Sequence, residues 1–163
     1  MIALIQRVSS ASVEINSETI SRIDAGIVAL IGIEKGDGEA QAIRLLERIT
    51  GYRIFADHHG KMNLGLSDIQ GGLLLVPQFT LAADTGKGMR PGFSPAAAPD
   101  DGLRLFEFLL NHANLVYPGV KSGVFGADMQ IRLVNNGPVT FWLKVPPNKV
   151  GKWRNRFAEG GIG

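Results

Sequence analysis

Two uncharged polar segments are the strongest candidates for reactive chemistry in this chain of 163 residues. In residues 77–81, PQFTL, an apolar run presents Gln78 and Thr80, whose polar atoms need partners if they are buried. Residues 135–140, NNGPVT, place a Gly-Pro pair between two alternating runs. Side chains of these types can position a substrate or, for threonine, attack it. Spacing alone predicts a hairpin turn at the second segment.

The titratable side chains offer fewer possibilities. His58 and His59 are adjacent in a polar turn, and His112 stands alone in a helical segment, so we do not expect a metal site from them. Cysteine is absent, which excludes disulfides, a thiolate nucleophile and cysteine-ligated zinc. The chain also lacks a GxSxG elbow and a phosphate-binding GxxxxGK[ST] loop. We therefore expect neither a metal nor another cofactor.

Hydrophobic periodicity predicts the elements that must position these segments. Alternation indicates strands at 2–8, 10–15 and 18–23, and a continuous apolar run indicates a buried strand at 27–33. A helix over 39–51 follows an N-cap at Asp37-Gly38. A second apolar strand spans 73–81, where Pro77 suggests an edge position or a bulge because proline lacks an amide donor.

The second half of the chain completes the domain. Residues 83–99 form a long loop rich in Gly and Pro, which is typical of a functional segment. A helix over 100–115 and strands at 120–125, 129–133 and 139–145 follow. The fold class is therefore α/β, a single compact domain with mixed, mostly antiparallel β-sheet layers and two main helices.

Charge and hydropathy limit the partners. The formal net charge is only +2, but the tail from Lys144 onward carries five basic residues against Glu159, a net charge of +4. Phosphate contact is thus expected at this tail or at a local patch, although a solvated basic tail is equally consistent with the composition. No apolar stretch is long enough to span a bilayer, and no targeting segment is evident. We expect a cytoplasmic protein that does not bind membranes.

Seven ordered motifs give the chain a clear resemblance to the D-aminoacyl-tRNA deacylase family, along nearly its whole length to about Lys144. They are IQRVSSASVEI at 5–15, GIEKGD at 32–37, RIFADHHGKMN at 53–63, PQFTL at 77–81, the loop at 84–93, FGADMQ at 125–130 and NNGPVT at 135–140. Two positions depart from the family pattern: Pro77 stands where serine is usual, and Asn136 where aspartate is common.

This resemblance implies a deacylase domain over 1–145 and a basic tail over 146–163 that belongs to no separate domain. It implies a hydrolase that cuts the ester of D-aminoacyl-tRNA, rejects the L form and also clears glycine mischarged on tRNA. The implied partners are the aminoacylated 3′ end of tRNA and a second copy of the chain. In the family, a cis Gly-Pro peptide, here Gly137-Pro138, reaches into the pocket of the other subunit.

The resemblance also implies roles for individual residues. Thr80 and Gln78 are the expected catalytic residues, and the expected substrate-binding residues are Phe79, Phe125, Met129, Asn136, Gly137 and Pro138. No general base lies in either motif, so we favour a mechanism assisted by the ribose 2′-hydroxyl, with main-chain amides at the oxyanion. A threonine-nucleophile esterase and a non-catalytic tRNA-binding module are the alternatives.

Overall fold

The structure is a computed structural model that describes residues 1–147, and the part of the tail over 148–163 lies outside the described residues. The strands are β1 Ile2–Ile15, β2 Glu18–Ile23, β3 Gly26–Gly32, β4 Phe55–Ala56, β5 Met62–Leu64, β6 Gly72–Pro77, β7 Val120–Ser122 and β8 Gln130–Lys144. The helices are α1 Glu39–Gly51 and α2 Pro99–Val116, and a short 3₁₀ helix spans Phe79–Ala82. Neither α-helix of the described part is long and apolar enough to cross a membrane.

One mixed sheet of six strands organises the fold. Its order is β2-β1-β3-β6-β7, and β8 pairs with β1 as well. The pairs that β1 makes with β2, β3 and β8 are antiparallel, whereas β3–β6 and β6–β7 are parallel. The predicted α/β class, with a mixed and mostly antiparallel sheet and two helices, is confirmed.

Both helices bury their apolar stripes in the larger of two hydrophobic clusters. Helix α1 contributes Leu45, Leu46 and Ile49, which recur at the helical period and are almost completely buried. Burial of one such side chain is worth about 1.5–3 kcal/mol. A smaller cluster around Val28 and Leu74 also draws residues from β1, β2, β3 and β6.

The N-cap of α1 lies in the predicted Asp37-Gly38 pair. Gly38 is the N-cap, and its amide donates to Oε1 of Gln41 at 2.9 Å. The carboxylate of Asp37 instead accepts the amide of Glu34 at 2.7 Å and the α-ammonium of Met1 at 2.6 Å. Asp37 therefore joins the start of β1 to the turn before α1.

Two strand predictions were wrong in their extents. Residues 2–8 and 10–15 form the single strand β1, which β8 accompanies along its length. The strand predicted over 73–81 ends at Pro77, where the chain turns into the 3₁₀ helix. Strand β7 pairs only with Leu73–Leu75 of β6, so Pro77 lies at a local edge, where its missing amide leaves no ladder bond unmade.

The hairpin predicted at residues 135–140 was also wrong. Strand β8 is continuous from Gln130 to Lys144 and contains a large bulge instead of a turn. Between the pairs Val8–Asn135 and Gln6–Thr140, β1 has one residue and β8 has four. The side chain of Asn135 stabilises the bulge, because its Oδ1 accepts the amide of Val139 at 2.9 Å. The main-chain amide of Val139 is thereby satisfied without a reversal of the chain.

The hydroxyl of Tyr117 joins the C-terminal end of α2 to the segment before β6 by hydrogen bonds. It is buried and donates to the carbonyl of Gly71 at 2.6 Å, with the carbonyl of Leu66 at 3.3 Å. We expect Tyr117→Phe to lower the free energy of unfolding by about 1–3 kcal/mol, because a buried carbonyl loses its partner. Chemical denaturation measures this change. Tyr52→Phe is the control, because the described residues offer the Tyr52 hydroxyl no hydrogen bond, and an equal loss there would contradict the assignment.

The same hydroxyl gives a dependence on pH. Burial raises the pKa of Tyr117 above its ordinary value of 10.0, so the unfolded chain loses this proton at a lower pH than the folded chain. The contribution of Tyr117 to stability is complete below pH 10.0 and is lost as the pH rises through the raised pKa. Wild-type stability should therefore fall more steeply above this pH than the stability of Tyr117→Phe.

Candidate active site

An apolar pocket opens at the carboxyl ends of the parallel strands β3 and β6. Its volume is about 230 Å³. The lining residues are Ile31, Ile33, Pro77, Phe79, Ala97, Pro99, Gly102, Phe125 and Gly126. Pockets at this end of parallel strands are common ligand sites, and an apolar lining suits a flat, weakly polar group.

The segment after β6 supplies hydrogen-bond donors beside this pocket. The Nε2 atom of Gln78 donates to Oγ1 of Thr80. Within residues 1–147, the main-chain amides of Phe79 and Thr80 form no hydrogen bond, because they are the first two of the 3₁₀ helix and its first internal bond runs from the amide of Leu81 to the carbonyl of Gln78. Two neighbouring donors are thus available to an oxygen atom of a bound molecule.

The ring of Phe79 connects this segment to the long loop over 83–98. Phe79 is 59% exposed, and its ring centroid lies 5.1 Å from that of Phe93. The amides and carbonyls of Asp84 and Gly92 bond each other in both directions at 2.7 and 2.9 Å, which closes the loop at its base. The loop predicted as functional therefore contributes a second ring next to the pocket.

Phe125 and Met129 have different environments. Phe125 lines the pocket and lies against α2, where a Cβ on Gly102 would come within 3.1 Å of its Cζ. Met129 does not line the pocket; its sulfur accepts the amide of Val124 at 3.3 Å, and its side chain packs on the smaller core cluster. A substrate-binding role for Met129 stays a prediction.

The segment Asn136-Gly137-Pro138 is exposed at the bulge of β8, and its Gly-Pro peptide is cis. Nε of Arg7 donates to the carbonyl of Asn136 at 2.9 Å, while Nη1 donates to the carbonyl of Ile54 at 2.7 Å. None of the three segment residues lines the apolar pocket of its own chain. The structure therefore unites Phe79 with Phe125 and Gln78 with Thr80, but leaves this segment apart.

The supporting role of Arg7 was not evident from the sequence. The residue lies in β1, and the carbonyl it holds is 129 positions further along the chain. The one available signal was a charged residue within a run of otherwise apolar and neutral side chains at the start of the chain. A charge at that point of a mostly buried strand needs acceptors, and the main-chain carbonyls provide them.

The histidines lie outside this site. His58 and His59 belong to the turn between β4 and β5, which Asp57 organises by accepting Nδ2 of Asn63 at 2.8 Å. This bond, followed by bonds from the amides of Lys61 and His59, lowers the pKa of Asp57. Residues 1–147 hold no group of three or more His, Cys, Asp or Glu side chains arranged to bind a metal ion.

Comparison with known proteins gives consistent matches. The family profile described as D-Tyr-tRNA(Tyr) deacylase matches residues 4–144. The D-aminoacyl-tRNA deacylase of Thioalkalivibrio sulfidiphilus is 63% identical over 147 residues, which cover 90% of this chain and 99% of the relative. That of Nitrosococcus oceani is 58% identical, with 90% and 95% covered.

Solved structures with the same fold include the c-Myc DNA Unwinding Element Binding Protein, with a TM-score of 0.86, 36% identity and coverage of 90% of this chain and 99% of that chain. A probable eukaryotic D-amino acid tRNA deacylase superposes with a TM-score of 0.75 at 17% identity, covering 88% of this chain and 98% of its own. This second match shows the fold alone.

Proposed function

Because this chain belongs to the D-Tyr-tRNA(Tyr) deacylase family and its reaction is hydrolysis of D-aminoacyl-tRNA, we propose that the apolar pocket and the 3₁₀ helix beside it form the active site. Water attacks the ester carbonyl carbon, the bond from that carbon to the ribose 3′-oxygen breaks, and the proton of the water passes to the leaving oxygen. The products are a free D-amino acid and tRNA. The reaction takes place in the cytoplasm, where tRNA is charged.

The observation that carries this proposal is the pair of unbonded amides on Phe79 and Thr80 at the edge of the pocket. As water adds, negative charge develops on the carbonyl oxygen, and two fixed main-chain donors stabilise it. Loss of one such donor typically slows a reaction by about 10²–10³-fold. The hydroxyl of Thr80, held by Gln78, helps to orient the ester.

The apolar pocket itself suits the terminal adenosine. The rings of Phe79 and Phe125 provide flat surfaces in a cavity of about 230 Å³, and the exposed ring of Phe93 extends the surface of Phe79. Stacking of a base on an aromatic side chain is worth about 1–3 kcal/mol and does not depend on sequence. The site thus recognises the 3′ end common to all tRNAs, and the ribose 2′-hydroxyl helps to activate the attacking water.

Chiral rejection is assigned to the Gly137–Pro138 segment of a second copy of the chain. The segment is exposed, is held by Arg7 and Asn135, and lies outside the pocket of its own chain. Its main-chain carbonyls hold the substrate amino group and leave no space for an L side chain, whereas a D side chain points to solvent. Such exclusion accepts many D-amino acids and also glycine. Activity therefore requires a homodimer.

The catalytic domain in this proposal spans residues 1–145, since the family match ends at residue 144. The tail over 146–163 is outside this domain. In this tail, Trp153 and Phe157 stand among basic residues, a pattern that is consistent with stacking on RNA bases and with an amphipathic helix alike; both residues lie outside the described part of the chain.

Hydrolysis of matched D-tyrosyl-tRNA and L-tyrosyl-tRNA without added metal tests the proposal. We expect rapid loss of the D ester alone. A Gly137→Ala/Pro138→Ala variant should discriminate less between the two esters. If neither ester is cleaved faster than in buffer, the proposed enzymatic function is wrong. A tRNA-binding module, in which Pro77 replaces the usual serine of the family, would then be favoured.

A further inference from the structure

Three cationic side chains from three strands form a surface that the proposed active site does not use. They are Lys121 on β7, Arg22 on β2 and Arg132 on β8, named here the basic track. Ser12 of β1 lies directly opposite Arg22 on one side and Arg132 on the other. Directly opposite residues of neighbouring strands share a face, so both guanidinium groups flank the Ser12 hydroxyl.

Two adjoining grooves make this surface continuous. The first has a volume of about 310 Å³. Its lining residues are Ser10, Ala11, Ser12, Glu14, Thr19, Arg22, Arg132, Leu133 and Val134. The second, of about 330 Å³, is lined by Thr19, Ile20, Ser21, Arg22 and Lys121. Thr19 and Arg22 border both grooves, so one extended ligand can follow them from β8 to β7.

The charges of the basic track are oriented and available. Nε of Arg132 donates to Oε1 of Glu14 at 2.7 Å, which orients the guanidinium, and the Arg132 side chain is 72% exposed. Arg22 and Lys121 are exposed and form no ion pair within residues 1–147. Three cations therefore face one carboxylate, and that carboxylate is already paired.

We infer that the basic track binds the phosphodiester backbone of the RNA part of the substrate. Guanidinium, ammonium and hydroxyl groups are the donors that contact phosphate oxygens. No aromatic side chain lines either groove, so the surface suits the backbone and not the bases. Lys121 is four residues before Phe125 of the apolar pocket, within a chain reach of about 14 Å.

This inference rests on the proposed function, because it takes the ester-bearing 3′ end to lie in the apolar pocket. Phosphates next to that end then pass round the β7 edge of the sheet to Lys121, which lies on the face of Leu74 and not on that of the pocket, and those of the acceptor arm continue toward Arg22 and Arg132. The contacts are independent of sequence. They strengthen binding of every tRNA and leave the chemistry at the ester unchanged.

The test uses the full-length protein with an Arg22→Ala/Lys121→Ala double variant. Binding of uncharged tRNA is measured by fluorescence anisotropy at several salt concentrations. We expect the slope of log K against log salt to become shallower by about 1–2, since each lost phosphate contact contributes about 0.7–0.9. The KM for D-tyrosyl-tRNA should rise at least about fivefold, and kcat/KM for D-tyrosyl-adenosine, which lacks the acceptor arm, should not change.

Arg44→Ala/Lys61→Ala is the matched control, because it removes two exposed cations from α1 and the turn before β5. It should leave the salt slope unchanged. An unchanged slope in the Arg22/Lys121 variant overturns the inference, as does an equal loss on D-tyrosyl-adenosine, which would indicate a disturbed pocket. If the wild type cleaves neither substrate, the proposed function fails, while anisotropy still shows whether the basic track binds RNA.

Discussion

Gly137→Ala should reduce the ratio of D-ester to L-ester hydrolysis by about 100-fold. A Cβ at this position would lie 2.6 Å from Cγ2 of Val139 and 3.0 Å from Nη2 of Arg7, and the φ of +141° is one that L side chains rarely adopt. The segment must therefore shift away from its place. Displacement of a positioning group by about 1 Å can cost about 10²-fold.

The measurement is the pair of initial rates on D-tyrosyl-tRNA and L-tyrosyl-tRNA. Gly60→Ala provides the control, since Gly60 has a φ of +76° but no atom within 4 Å of its added Cβ. That variant should lose about 1–2 kcal/mol of stability and keep the ratio. If the Gly137→Ala enzyme folds and retains wild-type selectivity, the Gly137–Pro138 segment does not determine the preference for the D ester.

A substrate whose terminal ribose lacks the 2′-hydroxyl should be hydrolysed at least about 100-fold more slowly, the lower range for loss of a positioned acid-base group. No Asp, Glu or His side chain lines the described pocket or stands in the Gln78–Thr80 segment beside it, so neither supplies a general base. The Thr80 hydroxyl accepts a hydrogen bond from Gln78, but no described side chain accepts its own proton. In the proposed mechanism the substrate supplies the missing group.

Thr80→Val gives the complementary result. It keeps the shape of the side chain and removes a single hydrogen bond, so the rate should fall by no more than about 10-fold. Mass spectrometry after rapid quench should find no aminoacyl group on Thr80 of the wild type. A covalent adduct, together with a Thr80→Val enzyme that is inactive on the 2′-hydroxyl substrate, would establish the threonine-nucleophile alternative.

Hydrophobic periodicity and end signals predicted the helices and strands whose bounds depend on their own residues. Helix α1 and strand β2 have the predicted bounds, because each is specified by its own period and its own end signals. The continuity of β1 and β8 could not be seen, since it depends on their mutual pairing across more than a hundred residues. The Gly-Pro pair was read as a turn because that is its commonest local use.

Some features of the candidate site could likewise be predicted from the sequence, and others could not. The motif resemblance named Gln78, Phe79 and Thr80, and the structure adds their unbonded amides and the pocket beside them. The contact from Arg7 to the Asn136 carbonyl and the row formed by Arg22, Ser12 and Arg132 require strand register, which periodicity does not provide. Pairing between distant strands therefore limited the sequence analysis more than residue chemistry did.

The two free amides of Phe79 and Thr80 have a consequence for inhibition. An inhibitor that places an oxyanion against these donors binds atoms that every amino acid except proline retains. Substitution of the side chains would leave both donors in place, and proline at either position would remove a donor that the proposed mechanism uses. Resistance to such a compound should thus arise through the surrounding rings, where substitutions also weaken the hold on the natural substrate.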